Sequence, residues 1–187
     1  MADEEKNRYL EKMVECARCS VCCREPLVPV TDSDVKRLIN HTKLPARKIV
    51  RFFSPSEMNY DPDADLWIRF RYGKRAMVLR KERNGKCIFL SPENKCSVYS
   101  ARPFTCRSFP YDIEFESVKS LRIDSFEFIK IVNCKAKPSR IKLLPELLKT
   151  VKQEQQEDRR YHSLIKKWNR LEAPGGTINF LSFAGLE

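Results

Sequence analysis

Four cysteines lie close together near the N-terminus, as Cys16, Cys19, Cys22 and Cys23. Two successive C-x2-C steps place thiolates on tight turns, from which they can reach one metal centre while turn N–H groups stabilise the charge on sulfur. The run departs from the bacterial ferredoxin pattern because its fourth cysteine directly follows the third. Neighbouring side chains diverge, so we expect Cys22 and Cys23 to serve two centres, or one of them to be a structural thiol. The cluster predicts metal binding without choosing the metal.

A second set of cysteines is spread along the chain as Cys87, Cys96, Cys106 and Cys134. Each wide spacing means little alone, but together with the first cluster the set predicts a site that folding closes with ligands from several loops. We therefore predict eight metal ligands: Cys16, Cys19, Cys22, Cys23, Cys87, Cys96, Cys106 and Cys134. A cysteine-only ligand set suits both zinc and iron–sulfur clusters. The C-x2-C-x2-C run favours an iron–sulfur cluster of the 4Fe-4S type over Zn.

Few other side chains have the pattern of a chemical site. Arg107 follows Cys106, where it can lower a thiol pKa or donate a hydrogen bond to cluster sulfide, and its alternative role is a surface ion pair. His41 and His162 are isolated and are interpreted as structural or exposed. No Ser/His/Asp arrangement or H-E-x-x-H motif occurs, so no catalytic residue is assigned. None of the five glycines forms a G-x-G-x-x-G or P-loop pattern, which excludes nucleotide binding of those kinds.

The composition predicts the cellular compartment of the protein and therefore the redox environment of its thiols. With 187 residues, 42% of them hydrophobic and 33% charged, the chain suits one domain with a helical appendage. No run of about 18 apolar residues is present, which excludes a spanning helix. The first six residues are polar and predict no secretory signal. We expect a cytoplasmic protein without a membrane partner, whose reduced thiols favour metal binding over structural disulfides. Hyperthermophile cytosols are the exception that keeps the disulfide alternative open.

A net charge of +11 would attract an anionic partner. Residues 36–51 carry six Lys or Arg and no acid, and residues 69–86 carry eight against Glu82 alone. One interpretation is that these are solvated faces. The other is a surface for nucleic acid, an acidic protein or a cofactor phosphate.

Hydrophobic periodicity predicts the elements. We expect helices over residues 3–15, from Thr31 to about Asn40 behind a capping box, and from Pro45 through Phe53. Residues 55–65 read as a loop. Alternation predicts a hairpin of residues 66–72 with residues 76–81, and a strand from Tyr111 that residues 121–132 continue. Pro145 opens a long helix to about Leu171.

The predicted fold is α+β: a small cysteine-rich domain with N-terminal helices, a short antiparallel sheet over residues 66–132, and a long C-terminal helix. Residues 1–140 form the metal-binding domain. Residues 141–187 form the C-terminal helix and tail, packed on that domain.

The cysteines stand in longer motifs that resemble a known family. The motifs are Cys87-Ile88-Phe89-Leu90, then Cys96-Ser97-Val98-Tyr99, Arg102-Pro103 and Cys106-Arg107-Ser108-Phe109-Pro110. With the N-terminal cluster and Cys134, they resemble the YkgJ-type cysteine-cluster family, a zinc- or iron-chelating domain. The resemblance covers about residues 16–134 and implies an iron–sulfur cluster or zinc, without supplying a reaction. A related branch resembles flagellin lysine N-methylases, which are longer chains.

Three function classes therefore remain open. The first is a metal protein that acts as a redox carrier, cluster carrier or sensor. The second is an enzyme whose cluster supports group transfer, by analogy with the methylase branch. The third is a structural zinc module that presents basic faces to nucleic acid or an acidic partner.

Overall fold

The computed structural model of the chain describes residues 14–15, 19–24, 27–64, 66–108, 111–113, 126–128, 137–138 and 144–187. Over these residues the protein is mixed α+β, as predicted. The helices are α1 (Asp32–Thr42), α2 (Ala46–Ile49), α3 (Pro55–Met58), α4 (Phe104–Ser108), α5 (Leu144–Asn169) and α6 (Thr177–Phe183). The strands are β1 (Val14–Glu15), β2 (Val50–Phe53), β3 (Ile68–Phe70), β4 (Gly73–Leu79), β5 (Tyr111–Ile113), β6 (Phe126–Phe128) and β7 (Lys137–Pro138). None of the described helices is long and apolar enough to cross a membrane.

Strand β4 is the centre of a three-stranded antiparallel sheet in the order β2-β4-β3. The predicted hairpin is present as β3 and β4, with Ile68 opposite Arg75. Residues 28–30 also pair with β4, through a bridge between Pro29 and Val78. The Val30 N–H donates to the Met77 carbonyl over 3.0 Å in this pairing. The segment that follows the N-terminal cysteines is therefore anchored on the central strand.

The predicted helix from Pro45 through Phe53 is wrong in its second half, which is β2. Val50 and Phe52 point to the core in alternation with exposed Arg51, and β-branched and aromatic side chains suit such a pleated surface. The β4 edge supplies backbone partners that a helix would not use. The predicted loop 55–65 contains α3, which starts with a capping box formed by Ser54 and Glu57.

Two pairs of strands lie outside the main sheet. Strand β5 pairs with β6, and β1 pairs with β7, both antiparallel. In the described part of the chain, the single sheet predicted over residues 66–132 is therefore two separate ladders, one with β3 and β4 and the other with β5 and β6. Val14–Glu15, expected at the end of a helix, is strand β1, and the rest of that predicted helix lies outside the described residues.

The long helix α5 packs its C-terminal half on the inner face of the sheet. Tyr161, Ile165 and Trp168 are buried in the same core as α1 and β3. The indole Nε1 of Trp168 donates to the Arg69 carbonyl over 2.7 Å, and its ring meets Phe180 of α6 edge-on at 5.3 Å. The C-terminal elements therefore complete the core, while the domain boundary at residue 140 stays a prediction.

Replacing Trp168 should test this packing. Trp168→Ala removes a large buried ring and one hydrogen bond, and should lower the free energy of unfolding by about 3–5 kcal/mol. Ile178→Ala is the control, because Ile178 is 73% exposed, and should change stability by less than about 0.5 kcal/mol. Denaturant unfolding followed by circular dichroism gives both values. Equal effects would show that α5 is not part of the core.

Candidate metal centre

Two tight loops that follow β4 carry Cys87 and Cys96 at their closing positions. Isolated antiparallel bridges close them, pairing Lys81 with Cys87 and Leu90 with Cys96. Each loop turns through a left-handed residue, Gly85 at φ 81° and Asn94 at φ 59°. Glycine and asparagine adopt this backbone conformation at low cost. The local turn chemistry therefore positions both thiols.

The N-terminal cluster lies beside the first of these loops. The backbone N–H of Cys87 donates to the Cys23 carbonyl over 2.8 Å. Lys81 Nζ donates to the Arg24 carbonyl over 3.0 Å, and the Arg24 guanidinium donates to Asn94 Oδ1. Folding thus brings the two distant cysteine sets to one place. Ligation of a metal by these cysteines stays a prediction.

Cys106 is positioned by a buried carboxylate. It lies on the short helix α4, whose first N–H, from Phe104, donates to Asp34 Oδ1 over 2.9 Å. The other oxygen of Asp34 accepts from the Thr31 backbone N–H and hydroxyl in the predicted capping box, each over 3.0 Å. Arg37 pairs with the same carboxylate. Asp34 is 2% exposed, so α1 and α4 share one fully buried anchor.

The thiols of Cys23, Cys87, Cys96 and Cys106 lie within electrostatic range of one another. Burial raises the pKa of Cys87 to about 11, the Phe89 N–H that donates to its sulfur opposes this, and the Cys23 and Cys96 thiolates raise it further. Burial also raises the pKa of Cys106, followed by the charges of Cys87 and Cys23. Without a metal, the thiols of Cys87 and Cys106 therefore stay protonated at neutral pH.

Cys23 differs from its neighbours because its pKa is lowered to about 7. The largest cause is a hydrogen bond from the Cys22 side chain; burial opposes it, and Arg102, Arg24 and Lys81 lower the pKa further. Cys22 and Cys23 lie on a single 3-10 turn with their side chains in hydrogen-bond contact. That they serve two centres, or that one is a structural thiol, stays a prediction.

The remaining predicted ligands are distributed as follows. Cys19 is half-buried, and none of the six described cysteines is joined to another in a disulfide bond. Cys16 and Cys134 lie outside the described residues. Among the described residues, no three Cys, His, Asp or Glu side chains are grouped closely enough to hold a metal ion as placed.

Of the two arginines that flank Cys106 in the chain, Arg102 and not Arg107 is among the main charges that shift the pKa values of Cys23 and Cys106. Arg102 lowers the pKa of Cys23 and opposes the increase at Cys106. Its Nε donates to the Tyr99 carbonyl over 3.1 Å, and its guanidinium stacks 3.7 Å from the centre of the Tyr99 ring. The Arg102-Pro103 dipeptide of the motif before Cys106 is the sequence signal that could have identified this residue.

Arg107 belongs to a buried polar region between α1, α4 and α5. Apart from Arg37, the charges that act on it are those of Asp34, Glu157 and Glu154. Burial, followed by the charges of Asp34 and Asp158, raises the pKa of Glu154 to about 9, so this carboxyl is neutral at pH 7. Nε and Nη2 of Arg107 have no hydrogen-bond partner among the described residues. The predicted cofactor contact of Arg107 is thus less favoured by this geometry than one by Arg102.

The donor set suits a thiophilic metal. Thiolates are soft ligands for zinc and for iron–sulfur clusters. A backbone N–H bonded to a ligand sulfur, as at Cys87, is the kind of outer contact that orients and tunes such ligands. The positive charges of Arg24, Lys81 and Arg102 compensate thiolate charge. The donor chemistry therefore suits either group, although no three of the described side chains are grouped as a metal site.

Comparisons with known proteins point to the same chemistry. A family model described as "CxxCxxCC: Putative zinc- or iron-chelating domain" matches residues 15–157. The chain is also similar to "Uncharacterized protein MJ0661" of Methanocaldococcus jannaschii, with 30% identity over 105 residues, which are 56% of this chain and 48% of that protein. The chain thus spans about half the length of this relative. No solved structure matches.

The thiol pKa order gives a pH prediction for the reduced, metal-free protein. Iodoacetamide should label Cys23 with a midpoint near pH 7 and Cys87 with a midpoint near pH 11, because only thiolates react. Arg102→Gln should move the Cys23 midpoint upward by removing a positive charge, whereas Arg107→Gln should leave it in place. Mass spectrometry of labelled peptides across pH gives the midpoints. Identical midpoints in wild type and Arg102→Gln would contradict the assignment.

Asp34 should control the position of Cys106. Asp34→Ala leaves the Phe104 N–H and Arg37 without their buried partner and should destabilise the protein by about 3 kcal/mol or more. It should also speed alkylation of Cys106 in the native, metal-free protein, while Cys87 serves as the internal control. Asp34→Asn keeps an acceptor for Phe104 and should have the smaller effect. An unchanged Cys106 rate in Asp34→Ala would show that α4 is held by other contacts.

Proposed function

The chain belongs to the CxxCxxCC family of zinc- or iron-chelating domains, and from this premise we propose that it holds an iron–sulfur cluster through cysteine thiolates. Cys23, Cys87, Cys96 and Cys106 are the ligands that we assign first. The observation that carries the proposal is their mutual electrostatic interaction, which joins a residue of the N-terminal run to three from distant loops.

Iron is favoured over zinc by the number and spacing of the thiols. A structural zinc ion uses four ligands, whereas this chain has further cysteines beside the four, including Cys19 and Cys22. Two successive C-x2-C steps are typical of iron–sulfur binding. A bound cluster would supply one-electron redox chemistry. The cluster that we propose is of the 4Fe-4S type.

The surroundings of the thiols support a redox or cluster-carrier role. The six described cysteines are half-buried, so a partner can approach. The Phe89 N–H and the guanidinium of Arg102 stabilise negative charge on sulfur. Phe89 and Arg102 therefore stabilise the thiolate charge of the cysteines that we propose as ligands. Cluster-dependent group transfer remains the further possibility that the methylase-like branch suggests.

A structural zinc module is the second candidate. The two bridge-closed loops with a backbone N–H directed at a cysteine sulfur favour it. Metal bound between distant segments contributes folding free energy on the order of 10 kcal/mol for structural zinc. That contribution would be comparable to the whole stability of a domain of this size.

Metal analysis after anaerobic purification separates the two candidates. We expect a brown protein with iron and acid-labile sulfide, whose visible absorption bleaches with dithionite. Cys87→Ser should lose the chromophore, and the exposed Ser100→Ala is the matched control that should keep it. Stoichiometric zinc in a colourless protein would establish the structural module instead. A colourless protein without either metal would refute both candidates.

A further inference from the structure

The charged groups that surround the thiols are cations drawn from several separate segments. The positive charges of Arg102, Arg24 and Lys81 lower the pKa of Cys23, and no carboxylate is among the main groups that shift this pKa. The loops that end at Cys87 and Cys96 carry further cations immediately before each cysteine. We call the following set the basic rim: Arg24, Lys81, Arg83, Lys86, Lys95 and Arg102.

The basic rim keeps its charge for an external partner. No salt bridge in the described part of the chain involves Arg24, Arg83, Lys86, Lys95 or Arg102. Arg83 and Lys95 are exposed, while Lys86, Arg24 and Arg102 are half-exposed. Arg24 and Arg102 donate to neutral oxygens of Asn94 and Tyr99, which leave their positive charge in place. Surface cations that are not neutralised by a carboxylate are the usual means of steering a negatively charged partner to a site.

We propose that the basic rim docks an acidic protein surface over the cysteine centre. The inference rests on the proposed function and names its partner. Such encounters are commonly small and transient, and complementary charge raises their association rate more than their affinity.

A protein fits the basic rim better than nucleic acid does. Tyr99 is the exposed aromatic residue at the rim, and Arg102 already stacks on its ring at 3.7 Å. A nucleic-acid base would stack on such an aromatic ring, and the Arg102 guanidinium already occupies one face of the Tyr99 ring. The same two loops also carry Glu82 and Glu93, both exposed, which would repel a continuous line of phosphates. A protein surface can match such a mixed pattern with its own cations.

The test compares two triple variants with equal loss of charge. The rim variant is Arg83→Gln/Lys86→Gln/Lys95→Gln. The control variant is Arg71→Gln/Lys167→Gln/Arg170→Gln, whose residues are all exposed. Asn169 bonds to the Arg69 N–H over 2.7 Å, which places the end of α5 beside β3. The control therefore lies at the opposite end of β4 from Lys81, about 20 Å along a strand of seven residues.

The probes are fluorescently labelled polyglutamate and polyuridylate of matched charge, measured by anisotropy on anaerobically purified protein. The rim variant should bind polyglutamate about tenfold more weakly than wild type, while the control changes little. Wild-type binding should weaken with added salt. Equal losses in both variants would overturn the proposal, because attraction would then follow net charge alone. Tighter wild-type binding of polyuridylate than of polyglutamate would overturn it in favour of nucleic acid.

Metal and sulfide contents of the same preparations separate this inference from the proposed function. The rim variant should retain the wild-type metal content, because none of its substitutions removes a thiol. Protein without metal or sulfide that still binds polyglutamate through the rim would refute the proposed function and leave the docking surface standing. Metal-loaded protein whose polyglutamate binding does not depend on the basic rim would refute the docking surface and leave the proposed function standing.

Discussion

Four half-buried thiols that share one site cannot all ionise unless positive charge joins them. In this protein burial is the largest cause that raises the pKa values of Cys87 and Cys106, and the charges of neighbouring thiolates raise both further. The pKa of Cys23 is shifted the other way, by a hydrogen bond from the Cys22 side chain and by three cations. In the proposed site a bound metal ion or cluster would supply the missing positive charge at the centre, while Arg24, Lys81 and Arg102 supply positive charge at the edge. The charge balance of the site thus links its chemistry to its surface.

The helices and strands around the site hold the cysteines close to one another. Asp34 anchors the N-terminus of α4 and therefore Cys106, while β4 holds the segment that follows Cys23. Behind α4, Arg37 joins α1 to α5 by pairing with both Asp34 and Glu157. Two ion pairs of Arg37 and the hydrogen bond from Phe104 to Asp34 therefore connect α5 with the helix that carries Cys106.

Elements with strong local signals were predictable from the sequence. The capping box at Thr31, the alternation around Ile68, and the long apolar spacing of α5 each depend on residues that are close in the chain, so they formed as predicted. Val50–Phe53 was mistaken for helix because a short apolar run is compatible with both periods until the partner strand is known. The pairing of β2 with β4 is a contact between distant residues, and local propensity does not contain it.

The cysteine spacing and the residues around it by themselves determined the family and the thiophilic character of the site. Spacing did not reveal which charged side chains face the thiols. Arg107 is adjacent to Cys106 in the chain and Arg102 lies four residues before it. Nevertheless it is Arg102 that stacks on Tyr99 beside the thiols, whereas Arg107 lies against Glu154 and Asp34. Only the tertiary structure decided this, because the direction of a side chain on α4 depends on how that helix is anchored by Asp34, far away in the sequence.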